Sequence, residues 1–210
     1  DGSTEGALKE GHFGMSWDAS EKLGSLGVTF GFSGAEAPAE DMGLPQQLLP
    51  RESKLDIALT NAPVREMLGA TLPAMTGMYV DAEMNEAKID QNAIMAAIMQ
   101  AQPKIMLNTL EAKAEMISAH VDGAADVNPK SPIPVVGAFT GRIEGLDATL
   151  QYLANTQDLP KNEAQQATAG LMFLKGMGKA EGDAYIYDIQ LTENGEITVN
   201  GQPMNALMQQ

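Results

Sequence analysis

The sequence predicts an α+β fold, a twisted antiparallel sheet with helices mainly on one face. Three observations carry that prediction. The last forty residues read as helix, hairpin and short terminal helix, with Asn194-Gly195 at the hairpin tip. Runs of alternating apolar and polar residues recur along the chain, the pattern of strands buried on one side only. Between them stand runs with apolar residues three and four apart, bounded by Pro and Gly, which read as helices folded onto the sheet.

Residues 1–34 carry two glycine-rich strands. Phe13, Met15 and Trp17 alternate with His12, Gly14, Ser16 and Asp18, and Val28, Phe30 and Phe32 share a face in the second run. Repeated glycine permits bends, so this pair is expected to be twisted and peripheral. Residues 34–50 form an acidic, proline-punctuated loop. Leu55, Ile57 and Leu59 mark the next strand, over Ser53 to Thr60. Asn61-Ala-Pro63 stops it and starts a helix through Val64, Met67 and Leu68. Pro73 and Gly77 interrupt any long helix between Gly69 and Lys88. Asp90 reads as the N-cap of a helix from Gln91 to Ala101, with Pro103 just beyond its end.

Strands follow over Lys104 to Glu115 and Met116 to Val127, with Ile105, Leu107, Ile117, Ala119 and Val121 pointing inward. After a proline-rich break comes a strand over Val135 to Glu144, then a helix carrying Leu146, Leu150 and Leu153, then the long helix Lys161 to Met177. In the terminal hairpin, Tyr185, Tyr187, Ile189 and Leu191 share a face. Asn194-Gly195 offers the two positive-φ residues of a type I′ turn. Pro203 then opens a last helix with Met204, Leu207 and Met208 on one side. Strand-to-helix corners recur at Leu59, Ile143 and Val199, each break containing Gly or Asn.

The 210 residues suffice for one domain with a sizeable core. With 28 acidic against 13 basic residues, the formal charge of −15 repels nucleic acid and anionic headgroups, so no nucleic-acid partner is expected. There is no cysteine, hence no disulfide or thiolate site. No apolar run approaches the ~20 residues of a membrane-spanning helix. The chain begins at Asp1 without Met and is expected to be the soluble part of a longer precursor with a signal peptide or anchor.

Catalytic signatures are absent, and the protein is expected not to be an enzyme. His12 and His120 are the only histidines, without metal-ligand spacing, and the glycines fail the phosphate-loop pattern. The carboxylates Glu181, Asp183, Asp188, Glu193 and Glu196 read as a solvated face. No metal and no cofactor is expected. Methionine is the unusual residue, 14 against ten aromatics. Such side chains fill irregular cores, line adaptable apolar surfaces or, when they converge, hold copper(I). The sequence reading places an apolar groove between helices and sheet, lined by Met95, Ile98, Met99, Leu171, Met172 and Leu174. It would take a lipid or other apolar ligand. The alternative is a structural subunit whose Met-rich helix faces dock on an envelope protein.

The segments Gly182-Asp183, Tyr187-Asp-Ile-Gln-Leu-Thr-Glu-Asn-Gly195 and Ile197-Thr-Val-Asn-Gly-Gln-Pro-Met204 resemble the end of the YdgA-like family of bacterial envelope proteins. The step Leu55-Asp-Ile-Ala-Leu-Thr-Asn-Ala-Pro63 is similar too. A second bacterial family of unknown function, carrying an N-terminal signal or anchor, ends alike. The resemblance covers about forty residues well and the middle only in rhythm, and its motif is structural. It implies an inner-membrane-tethered or periplasmic location, the tether being an N-terminal anchor, and no enzymatic residues.

Overall fold

The alternating runs become one antiparallel sheet. The computed structural model describes residues 7–19, 22–36, 45–69, 91–127, 134–157 and 159–204, with the backbone alone for 91–94. Ten strands are β1 (Glu10–Asp18), β2 (Gly24–Ser33), β3 (Glu52–Ala62), β4 (Lys104–Lys113), β5 (Ser118–Val127), β6 (Val135–Glu144), β7 (Lys179–Glu181), β8 (Ala184–Leu191), β9 (Ile197–Val199) and β10 (Gln202–Pro203). They follow chain order across the sheet, β1-β2-β3-β4-β5-β6-β8-β9-β10, and β7 pairs with β8. Helices α1 (Gln91–Ala101), α2 (Leu146–Asn155) and α3 (Lys161–Met177) join a short 3-10 turn, Gln46–Leu48, and a helical stretch at 64–69. The fold is thus mostly sheet, with a smaller helical share than the α+β expectation. The Asp90 cap, the interruption at 70–88 and the terminal helix beyond Met204 lie outside the described residues.

Register gives the sheet two unlike faces. Phe13 stands opposite Phe30, Phe30 opposite Leu55, and Leu55 opposite Leu110; the row continues through Val121, Gly141 and Tyr187. The parallel row Met15, Val28, Ile57, Leu107, Gly123, Phe139, Ile189 lies on the same side. Every charged strand residue, from Glu10 to Asp188, falls on the other side by the same register. An antiparallel sheet can hold this division because neighbouring side chains alternate across it.

A bulge preserves the division where the sequence breaks it. Leu107 and Leu110 are three apart, which in a regular strand would put them on opposite sides. Between them the register shifts: Thr109 faces Asp56 and Leu107 faces Ile57, leaving Asn108 as the extra residue. The Asn108 amide donates to Asp56 Oδ1 at 3.0 Å, pinning the bulge, and both leucines stay on the apolar side.

The core sits where α2 and α3 meet β8. Leu146, Tyr185, Tyr187 and Val199 are buried together, flanked by Ile143, Leu171, Met177 and Ile189. Leu146 is fully buried, which contributes about 2 kcal/mol. Gly145 turns the chain from β6 into α2 at φ +78°, where an added methyl would strike the Met116 carbonyl oxygen. The buried Thr149 hydroxyl is satisfied by donating to Gly145 O at 2.9 Å. At the other corner, Asn61 Nδ2 donates to Ala101 O at 2.7 Å, tying the C-terminus of α1 to the end of β3.

The terminal hairpin pairs as predicted, Ile189 with Val199 and Leu191 with Ile197, but its turn differs. Only Gly195 has positive φ, +76°, and Asn194 does not. The Gly195 N–H donates to Thr192 O and the Thr192 N–H to Glu196 O, both at 2.9 Å. This is a three-residue loop with glycine in the left-handed position. The Thr192 hydroxyl, bonded to both backbone groups of Glu196, holds it. The two-residue turn with both φ positive lies instead at Asn200 (+51°) and Gly201 (+79°), between β9 and β10. The break in the third predicted strand-to-helix corner is therefore a turn between strands, and the helix it leads to lies beyond Met204, outside the described residues.

Candidate functional site

The apolar side is covered at one end and open at the other. Over β6, β8 and β9 lie α2 and α3. Towards β1 no described element covers the same side: Phe13, Met15 and Trp17 are 67%, 55% and 62% exposed, and Phe30 and Leu110 46% and 44%. Phe30 meets Phe32 edge-on, with centroids 6.5 Å apart. Half-buried Val28, Leu55, Ile57 and Leu107 continue the surface inward. Together these side chains expose on the order of several hundred Å² of contiguous apolar area, the size at which such patches carry binding. Sequence reasoning assigned these strands a peripheral position; the alternation of Phe13, Met15 and Trp17 was the available signal.

The sequence-predicted lining residues divide between two helices. Met95 and Met99 are exposed and Ile98 half-buried on α1, which touches β3. Leu171 packs on the core from α3, Met172 is exposed, and half-buried Leu174 offers its carbonyl to the Tyr187 hydroxyl at 3.0 Å. From β3 to β8 is four strand spacings, about 19 Å, so the structure does not bring the two groups side by side. Met172 does line a cleft of about 550 Å³ between α2 and α3, with Leu153, Leu159 and Ala169 as apolar walls and Lys161 at its polar rim.

Charge gathers elsewhere. Asp147 of α2 accepts from Lys175 of α3 at 2.6 Å and from the Tyr185 hydroxyl at 3.1 Å, and the Lys175 ammonium lies 5.7 Å from the Tyr185 ring centre. Lys175 holds the Asp147 carboxyl below its usual range, and Asp147 in turn raises Lys175. Burial pushes the Tyr187 phenol up. On the polar side, Glu111 raises Lys113 by accepting its hydrogen bond. His120 meets Asp122 at 3.3 Å, while His12 stands four strands away, roughly 19 Å by strand spacing. Among the described residues no group of three His, Asp or Glu is arranged to hold a metal ion. No described helix is long and apolar enough to cross a membrane.

One family matches residues 8–204, DUF2125, described as an uncharacterized protein conserved in bacteria. The chain belongs to DUF2125. The DUF2125 match spans nearly the whole sheet, not the C-terminal hairpin alone. Comparison with curated proteins and with solved structures found no match.

Proposed function

We propose that this DUF2125 member is a non-enzymatic protein of the bacterial envelope that holds an apolar chain, such as a lipid acyl chain, on the open half of its sheet. The supporting observation is the exposed row Phe13, Met15, Trp17, Phe30 and Leu110, continuous with half-buried aliphatic residues. Aromatic and thioether groups adapt to flexible chains, and burying them relieves the cost of exposing this area to water. The formal charge of −15 favours zwitterionic or neutral amphiphiles over anionic ones. In this reading the helices gather mainly on the apolar side and leave one trough of it free. A periplasmic location with an inner-membrane tether, and kinship with YdgA-like proteins, belong to the same proposal.

Trp17 is the only tryptophan and sits inside the row, so it reports occupancy directly. Lysophosphatidylcholine below its micelle concentration should shift its emission to the blue. Met15→Asp should abolish the shift while the far-ultraviolet dichroism stays unchanged. Unshifted emission across the titration would refute the lipid reading. The second reading, docking through helix faces, is favoured by the exposure of Met95, Met99 and Met172. In that case Met99→Asp, not Met15→Asp, should remove association with the partner.

A further inference from the structure

The two edges of the sheet are treated differently. At the C-terminal end, the outer edge of β8 is filled: β7 pairs with Ala184 to Ile186 and β9 with Ile189 to Leu191. The last strand, β10, has two residues, one of them Pro203, which has no N–H to offer. At the N-terminal end, β1 runs nine residues in unbroken register with β2, from Glu10 opposite Ser33 to Asp18 opposite Ser25. A strand paired on one side turns every second N–H and C=O outward. Proteins protect such edges with proline, lysine, bulges, short length or a covering element. Between Glu10 and Asp18 the sequence Gly-His-Phe-Gly-Met-Ser-Trp has neither proline nor lysine, its register has no bulge, and among the described residues β1 is the outermost strand.

We propose that the open edge of β1 receives an extended segment of another protein as an added strand, apolar at alternate positions and carrying Lys or Arg at the end that meets Glu10. Its backbone would complete the outward-facing groups of Gly11 to Trp17. Its apolar side chains would lie beside Phe13, Met15 and Trp17, extending the rows that those residues already form with Phe30, Val28 and Leu26. Charge selects the occupant: Glu10 closes one end of β1, on a chain of formal charge −15. A second copy is disfavoured by the same charges. Pairing two copies along this edge brings together two chains that each carry a formal charge of −15, which repel one another. This inference rests on the backbone edge and does not require a lipid on the face.

The probe is a nine-residue peptide with Lys at each end and alternating Val and Thr between, added to the full chain. Amide exchange followed by NMR should show alternate amides within residues 11–17 slowed about tenfold or more on saturation. A peptide N-methylated along one edge should give no protection, because strand pairing needs those N–H groups. Replacing its lysines by glutamate, or using Glu10→Lys, should weaken binding about tenfold for the former and by less for the latter. Glu10→Lys should leave the lysolipid response of Trp17 unchanged. An N-methylated peptide that binds equally well, or protection that falls outside β1, overturns the proposal. So does self-association of the free chain with β1 amides already protected, which would give the edge to a second copy.

Discussion

Asn200 fills the place where two short strands leave a gap along β8. Its amide nitrogen donates to Met177 O at 2.6 Å and Ile186 O at 3.2 Å, and its side-chain oxygen accepts from the Asp188 N–H at 3.0 Å. Its own backbone N–H donates to Asp188 O at 2.8 Å. One side chain thus continues the ladder between β7 and β9 and joins it to the end of α3. Asn200→Ala should cost roughly 2–4 kcal/mol in urea denaturation, from unpaired backbone groups plus a methyl side chain at positive φ. Asn200→Gly removes only the second contribution and should fall between Ala and wild type. Equal stability of all three would show that the side-chain bonds add nothing. The Asn-Gly dipeptides were legible as turns, but which of them took the two-residue form was not. The Thr192 hydroxyl decided one, and the contacts of Asn200 with distant residues decided the other.

At the scale of elements, α2 and α3 are held on β8 by a polar clasp beside the core. Lys175 lowers Asp147 in the folded state, so this contribution is present above the ordinary carboxylate range. It is lost as pH falls through the folded value. The raised Lys175 gives the opposite limb: its contribution is present below the ordinary lysine range and lost as pH rises through its folded value. Urea midpoints should therefore fall at both extremes, and in Asp147→Asn both losses should shrink. A profile unchanged by that substitution would remove the clasp from the account. The groups are exposed, so the effect is expected to be modest. Strands β3 to β6 and helices α1 to α3 could be read from period and punctuation. Less legible was the bulge, because Leu107 and Leu110 break the alternation and only the Asn108–Asp56 contact restores it. Nor could local patterns say that α1 docks at β3 while α3 docks at β8, since sequence period tells which face of a helix is apolar and not which strand it will meet.

For the whole molecule, the division of the sheet into a charged side and an apolar side was implicit in the alternation. The open half was not, since exposure depends on where the covering helices land. Phe13, Met15 and Trp17 look like core residues in sequence, and position alone makes them surface. Strand order that follows chain order has a further consequence, in time. The pairs β1–β2, β4–β5, β5–β6 and β8–β9 are joined by short connections and can close locally, while β3 waits for β4 across residues 63–103 and β6 for β8 across 145–183. Stability should nevertheless be graded along that order. Among the described residues the β1–β2 end carries no packed helix pair, and the β6–β8 end has one. Native-state hydrogen exchange should thus find the fastest-opening amides in β1 and β2 and the slowest in β6 and β8; uniform protection would contradict this. When the chain is made, β1 emerges before the other strands, while the element that seals the buried core, β8, follows β6 and the two helices between them. The early strands must therefore persist as an incomplete, sticky array until Tyr185 and Tyr187 arrive, and the folded protein still carries that unfinished margin along β1, where no described strand pairs with it.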